Sequence, residues 1–110
     1  MITKETFGML IRKLREEHKL PLRKVAAVLD IDPSTLSKIE RDERSANKDM
    51  ISKLAELFTV NSNNLSIAFL SDKVVNELIS ENCSNEILRV AEEKIEYIRA
   101  QSAQQGKIEF

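Results

Sequence analysis

Apolar residues recur along this chain with a helical period, and strand-like alternation is almost absent. Phe7, Leu10, Ile11 and Leu14 fall at i, i+3, i+4 and i+7, with Arg12, Lys13, Glu16 and Glu17 on the wet side. Thr3 is the predicted N-cap of this first helix. The helix should end near His18-Lys19, because Pro21 disfavours helical geometry at Leu20. A second helix is predicted over 22–29, with Val25, Ala26, Val28 and Leu29 inward, and Asp30-Ile31 forms the turn after it. Asp32 directly before Pro33 marks a new helix start: a side-chain acceptor for orphan N–H groups, then a residue that has no N–H to satisfy. This third helix should run to about Arg41, with Leu36 and Ile39 inward. Ser34, Ser37, Lys38 and Arg41, spaced i, i+3, i+4, i+7, share its opposite face.

Residues 42–48 have no hydrophobic period and read as a loop. Asn47 is the predicted N-cap of a fourth helix whose core side is Ile51, Leu54, Ala55, Leu57 and Phe58. Residues 60–64 are turn-forming and close the first unit, with Leu65 filling its core from the start of a fifth helix. That helix should reach about Ser80 and present Phe69, Leu70, Val74, Val75, Leu78 and Ile79. Residues 81–84 break it. Ser84 or Asn85 then caps a sixth helix that carries Ile87, Leu88, Val90, Ala91, Ile95, Tyr97 and Ile98 as far as about Ala103. The pattern therefore predicts an all-α chain: a compact unit over 1–66, a helical hairpin extension over 67–103 and a frayed tail over 104–110.

The extension has more apolar surface than a hairpin against one small unit can bury. Covering that face with a second copy is the simplest solution, and a homodimer is expected. The predicted interface residues are Val74, Val75, Leu78, Ile79, Ile87, Leu88, Ala91, Ile95 and Ile98. The competing reading folds the hairpin back onto the front unit of a monomer. Phe69 and Tyr97 are expected in the core or at the dimer contact.

Composition agrees with a folded domain plus an extension. The chain has 110 residues, 42% hydrophobic and 32% charged, with only two Gly and two Pro. No apolar run is long enough to span a membrane, and no long apolar stretch follows residues 1–7, so neither a membrane segment nor a signal peptide is expected. The single cysteine, Cys83, has no internal disulfide partner, which suits a reducing, cytoplasmic setting. The net charge of −1 hides an asymmetry. Residues 1–48 hold 11 Lys and Arg against 8 Asp and Glu, a net of +3; residues 49–110 hold 6 against 10, a net of −4. A basic front and an acidic back suit a protein that meets phosphate with one face.

The outward face of the third helix is small, polar and ends in cations. It can enter a DNA major groove without steric conflict and hydrogen-bond base edges. At this point the sequence resembles the Xre-like helix-turn-helix family, which includes the phage Cro and repressor proteins. The resemblance covers about residues 7–66 and rests on Leu14-Arg15, the turn VAAVLDID, the run STLSKIE and the closing segment LAELFTVN. A narrower resemblance of LPLRKVAAVLDIDPSTLSKIERDER is to small regulators encoded beside restriction–modification genes.

The family resemblance implies a five-helix Cro/repressor-like DNA-binding unit whose third helix enters the major groove. It implies that Arg15 and Glu40 form a structural pair that aims that helix, and that Pro33, Ser34, Ser37 and Lys38 face bases. It further implies that Thr35, Arg41, Arg44, Asn47 and Lys48 contact the DNA backbone. The chain departs from the family in two places. Where many members begin the second helix with Ser-Gln, this chain has Pro21-Leu22, so Arg23 or Lys24 must replace a lost backbone contact. Where many have Gly in the turn, it has Asp30, which tolerates the left-handed region better than most residues.

Several positions read two ways. Lys38 suits guanine O6 and N7, and it suits phosphate equally. Arg44, Asn47 and Lys48 fit a phosphate contact or a solvated loop. Glu40 is an exposed acid or the buried partner of Arg15. His18 reads as a helix-end partner or solvated tip rather than a metal ligand, and Cys83 as an ordinary thiol rather than a redox sensor.

One His, one Cys, no phosphate-cradling Gly loop and no metal-ligand spacing leave no enzymatic constellation, and no cofactor or metal is expected. The resulting expectation is a dimeric, sequence-specific transcriptional regulator, in the first place a repressor. Its partners would be double-stranded DNA, itself, and RNA polymerase or a cognate protein met through Asp42-Glu43. With serines among the base-facing residues, part of the specificity should come from DNA shape. The alternative is an antitoxin or adaptor acting through residues 67–110.

Overall fold

The computed structural model describes residues 5–81 and 85–105, with side chains to residue 103. Six helices follow one another: α1 (Phe7–Glu17), α2 (Leu22–Leu29), α3 (Pro33–Glu40), α4 (Asp49–Phe58), α5 (Ser62–Ser80) and α6 (Asn85–Gln105). No strand occurs among the described residues. The chain divides into two compact units, residues 1–75 and residues 76–110, so α5 contributes to both.

The first unit is held by a single apolar core. Its most deeply buried large side chains are Ile11 of α1, Val25 of α2, Leu36 of α3, Leu54 and Phe58 of α4, and Leu65 of α5. Each of the five helices thus supplies at least one. Burial of a side chain of this size stabilises by roughly 1.5–3 kcal/mol. Leu10, Leu14, Leu20, Ile31 and Val60 pack against this core from its margin.

The first four helices end in the same way. Lys19, Asp30, Asp42 and Thr59 all lie in the left-handed region, with φ of 54°, 57°, 62° and 54°. In each case the next residue's N–H reaches back five positions: Leu20 to Arg15, Ile31 to Ala26, Glu43 to Lys38 and Val60 to Ala55. These are Schellman closures, normally built on glycine. Leu20, Ile31 and Val60, the residues after three of the left-handed ones, pack on the core and offset the backbone strain. The departure at Asp30 is therefore one instance of a device used four times.

Several local expectations are corrected. The N-cap of α1 is Thr6, whose Oγ1 accepts the Met9 N–H at 3.1 Å; Thr3 lies outside the described residues. Asp32 occupies the N-cap position of α3 with extended backbone, but its carboxylate makes no capping bond, and Pro33 at N1 marks the start instead. Lys48, not Asn47, precedes the first residue of α4, although Asn47 Oδ1 still accepts the Met50 N–H at 3.2 Å. The turn before α5 is shorter than its polar composition suggests: Ser62, Asn63 and Asn64 are already helical, and Asn61 Oδ1 accepts the Asn63 N–H at 2.7 Å. Val28 faces outward rather than into the core. Phe69 is buried, and Tyr97 is exposed. Helix α6 begins at Asn85 and runs two residues beyond Ala103. Gln104 and Gln105, expected in a frayed tail over 104–110, are helical; the rest of that tail, Cys83 and Ser84 as a cap fall outside the described residues.

Beyond the core of the first unit the apolar pattern is unpartnered. On α5, Ile67, Leu70, Val74, Val75 and Ile79 are exposed, Ile79 at 72%, and Leu78 is half-buried. On α6 every described side chain except Ser102 is exposed, including Ile87, Leu88, Ala91, Ile95 and Ile98. No described helix is long and apolar enough to cross a membrane.

Candidate nucleic-acid interface

Helix α3 has one buried and one open side. Leu36, Ile39 and Glu40 are buried, Pro33, Ser34, Lys38 and Arg41 are exposed, and Thr35 and Ser37 lie at the boundary. Ser34, Lys38 and Arg41, with the half-buried Ser37 among them, keep the spacing i, i+3, i+4, i+7, so these side chains follow one another along a single ridge. Lys38 forms no ion pair among the described residues, and its ammonium is free to meet an acceptor.

The ridge is fixed from behind by an ion pair. Arg15 of α1 donates from Nε to Glu40 Oε2 at 2.7 Å and from Nη2 to Oε1 at 3.0 Å. Its Nη1 donates to the Leu20 carbonyl at 3.0 Å, so one guanidinium ties α3 to α1 and also to the α1–α2 turn. The Glu40 side chain is 4% exposed and that of Arg15 is 14%. The hydrogen bonds it donates to Glu40 hold the Arg15 guanidinium above its ordinary pKa, against the opposing effect of burial. The planar fork fixes orientation as well as distance, which a lysine in place of Arg15 cannot do.

Three further contacts, two at the end of α3 and one between α5 and the start of α1, carried no sequence signal strong enough to be read. Gly8 is buried where α1 crosses the last turn of α3, and a Cβ there would overlap the Ile39 carbonyl oxygen. Thr6 Oγ1 donates to Asp42 Oδ2 at 2.9 Å. Asp72 of α5 accepts the Phe7 N–H at 2.8 Å across 65 residues of sequence. A glycine inside an otherwise periodic helix was the one available hint, since it costs stability unless two backbones meet there.

The flanking candidates are unequal. Thr35 and Arg44 line one shallow depression together with Asp30 and Asp32, at the α2–α3 turn. Arg41 is paired with Glu43, Nε to Oε2 at 2.8 Å, so it must leave or share that carboxylate to touch a phosphate. Asn47 and Lys48 are exposed just before α4, with the Asn47 carbonyl oxygen already occupied by Met50. Arg23 and Lys24 are exposed in the first turn of α2. Asp42 and Glu43 both have intramolecular partners, Thr6 and Arg41. His18 Nδ1 lies 2.8 Å from the Leu14 carbonyl, with its ring 5.1 Å from that of Phe58, so it closes α1 and packs over α4. No cluster of metal-ligating side chains occurs among the described residues.

Two short helices joined at a tight turn, with the second presenting a polar ridge, are the geometry of a helix-turn-helix. The profile described as helix-turn-helix matches residues 11–65, half of the chain. The chain belongs to the Xre- and Cro-type helix-turn-helix family. It is therefore a DNA-binding transcriptional regulator by family, from a group that is typically not enzymatic. The match runs from Ile11 within α1 to Leu65 near the start of α5 and includes both partners of the Arg15–Glu40 pair.

Among solved structures, the clp gene regulator ClgR from Corynebacterium glutamicum is similar in fold. One structure aligns with a TM-score of 0.53 at 17% identity, covering 86% of this chain and 95% of that one. Another aligns with a TM-score of 0.51 at 18% identity, covering 66% and 94%. At these identities the likeness is one of fold. Curated protein sequences give no match.

Proposed function

We propose that this helix-turn-helix protein is a cytoplasmic, dimeric repressor that reads a two-fold-related operator by placing residues 33–41 in successive major grooves. In this reading Pro33, Ser34, Ser37 and Lys38 face bases, and Arg23, Lys24, Thr35, Arg41, Arg44, Asn47 and Lys48 hold the DNA backbone. Residues 1–66 form the DNA-binding domain and 67–103 the dimerisation region. The observation that carries the proposal is the open ridge of α3, backed by the bidentate Arg15–Glu40 pair. A reading helix must be both exposed and rigidly aimed, and here the two properties meet on eight residues.

The dimer is supported by the exposed apolar side chains of α5 and α6, which an isolated chain would leave in water. Selection of bound duplexes from a random DNA pool tests the reading. Two inverted half-sites should emerge with centres about 10 base pairs, or 34 Å, apart. Recovery of no shared sequence would reject it. A reporter placed behind the selected site should fall when the protein is expressed. The same apolar surface also suits an antitoxin or adaptor; co-purification of a second protein in fixed ratio, without DNA selection, would favour that reading.

A further inference from the structure

The first turn of α1 is a junction between two structures that have different tasks. Three consecutive residues make it. Thr6 is bonded to Asp42, just past α3, and Gly8 lies against the carbonyls of Ile39 and Glu40. Between them, Phe7 faces α5. Its N–H, one of the orphan donors of a helix start, is accepted by Asp72 at 2.8 Å, and its ring meets Phe69 edge-on with centroids 5.5 Å apart at 72°. Phe69 and Asp72 are three residues apart and so share one face of α5. A carboxylate at a helix N-terminus gains from the helix dipole as well as from the hydrogen bond. Lys73 lies over the outer face of the Phe69 ring at 4.6 Å and completes the clamp.

Immediately beyond the clamp, the same helix exposes Val74 and Val75. A continuous helix carries orientation from one turn to the next. The placement of Val74 and Val75 relative to the reading ridge is therefore tied through residues 6–8, beside the core contacts of Leu65 and Ala68.

We infer that Asp72 is a positioning residue that sets the half-site spacing of the operator, by locking α5 to the turn of α1 that bears on α3. The inference rests on the dimeric reading above and adds to it the element that fixes its geometry. One base pair moves a half-site by about 3.4 Å along the axis and turns it by about a tenth of the helical repeat. A dimer with a locked angle accepts one spacing, and a dimer with a loose angle accepts several.

The test uses the full-length protein, a duplex with two half-sites at the selected spacing, duplexes one base pair longer and shorter, and a single half-site. The parent should prefer one spacing. Asp72→Ala should reduce that preference by about fivefold or more, the lower end of a typical coupling between sites, while leaving affinity for the single half-site unchanged. Asp72→Asn, which keeps an acceptor oxygen, should retain the preference. Phe69→Leu keeps an apolar side chain but loses the ring contact. It should loosen the spacing too, and it carries the test if Asp72→Ala does not fold. A sharp, unchanged preference in the variants that fold overturns the inference and leaves the dimeric reading intact. A parent that shows no spacing preference overturns the dimeric reading, and this inference with it.

Discussion

Arg15 and Glu40 meet through two hydrogen bonds of 2.7 and 3.0 Å, and the remaining Arg15 nitrogen reaches the Leu20 carbonyl at 3.0 Å. Every strong polar atom of the pair thus has a partner, and no buried side-chain polar atom among the described residues is left without one. Breaking such a pair on one side strands a charge, whereas replacing both sides removes the problem together with the bond. Glu40→Ala should destabilise the first unit by about 3 kcal/mol. The double variant Arg15→Met/Glu40→Leu should lie within about 1 kcal/mol of the parent in urea unfolding, yet bind DNA less selectively. The raised Arg15 pKa sets the pH behaviour. A raised cationic group contributes fully below its unfolded value and loses its contribution only as pH climbs through the folded one. Both lie far into the alkaline range, so the pair should add no step to the stability profile between about pH 7 and pH 10.

Gly8→Ala should destabilise the first unit by overpacking. The new Cβ would meet the Ile39 carbonyl, a backbone atom that cannot swing aside as a side chain does. A cost of about 2 kcal/mol is expected, the range of overpacking, measured as a fall in the denaturant midpoint at constant m-value.

Thr59→Gly should act in the opposite direction. A β-branched residue held at φ 54° and ψ 49° pays for its Cβ in the left-handed region. Removing it should raise stability by about 1 kcal/mol, or some 4–8 °C in Tm for a unit of this size. Asp30→Gly should gain less, because aspartate tolerates the same geometry better.

Lys38 and Lys48 should separate by the kind of binding they lose. Lys38→Ala should weaken the selected operator by about 1–3 kcal/mol and relax preference at one position. Lys48→Ala should weaken all sequences alike and flatten the slope of log K against log salt by about one unit. Titrations of operator and random duplex at several salt concentrations distinguish them; parent-like binding by both variants would refute the docking arrangement.

On the dimeric reading proposed above, Ile79→Asp should leave the protein monomeric without unfolding the chain. The side chain is 72% exposed in a single copy, so the new carboxylate is solvated there and is buried only in an interface. Sedimentation equilibrium should show a monomer with an unchanged far-UV spectrum. A parent already monomeric at micromolar concentration would refute the interface.

The sequence by itself determined the elements. Helical period, Pro21 and the Asp32-Pro33 start are local signals, read within four residues, and they placed α2 and α3 with Leu36 and Ile39 inside. The same locality explains the errors. Thr3 and Thr6 are equivalent as caps until the chain before α1 takes a direction, and Val28 lies on the margin of an apolar stripe whose edge depends on how α2 is rotated. What only the tertiary structure decided are contacts that span 25, 36 and 65 residues: Arg15 to Glu40, Thr6 to Asp42 and Phe7 to Asp72. Family resemblance pointed to the first of these; no pattern pointed to the others. Such contacts depend on the crossing of helices, which is fixed by side chains packing across the whole core rather than by any neighbour in sequence. The pattern could say that a polar ridge existed on residues 33–41; the junction at residues 6–8 shows what holds it.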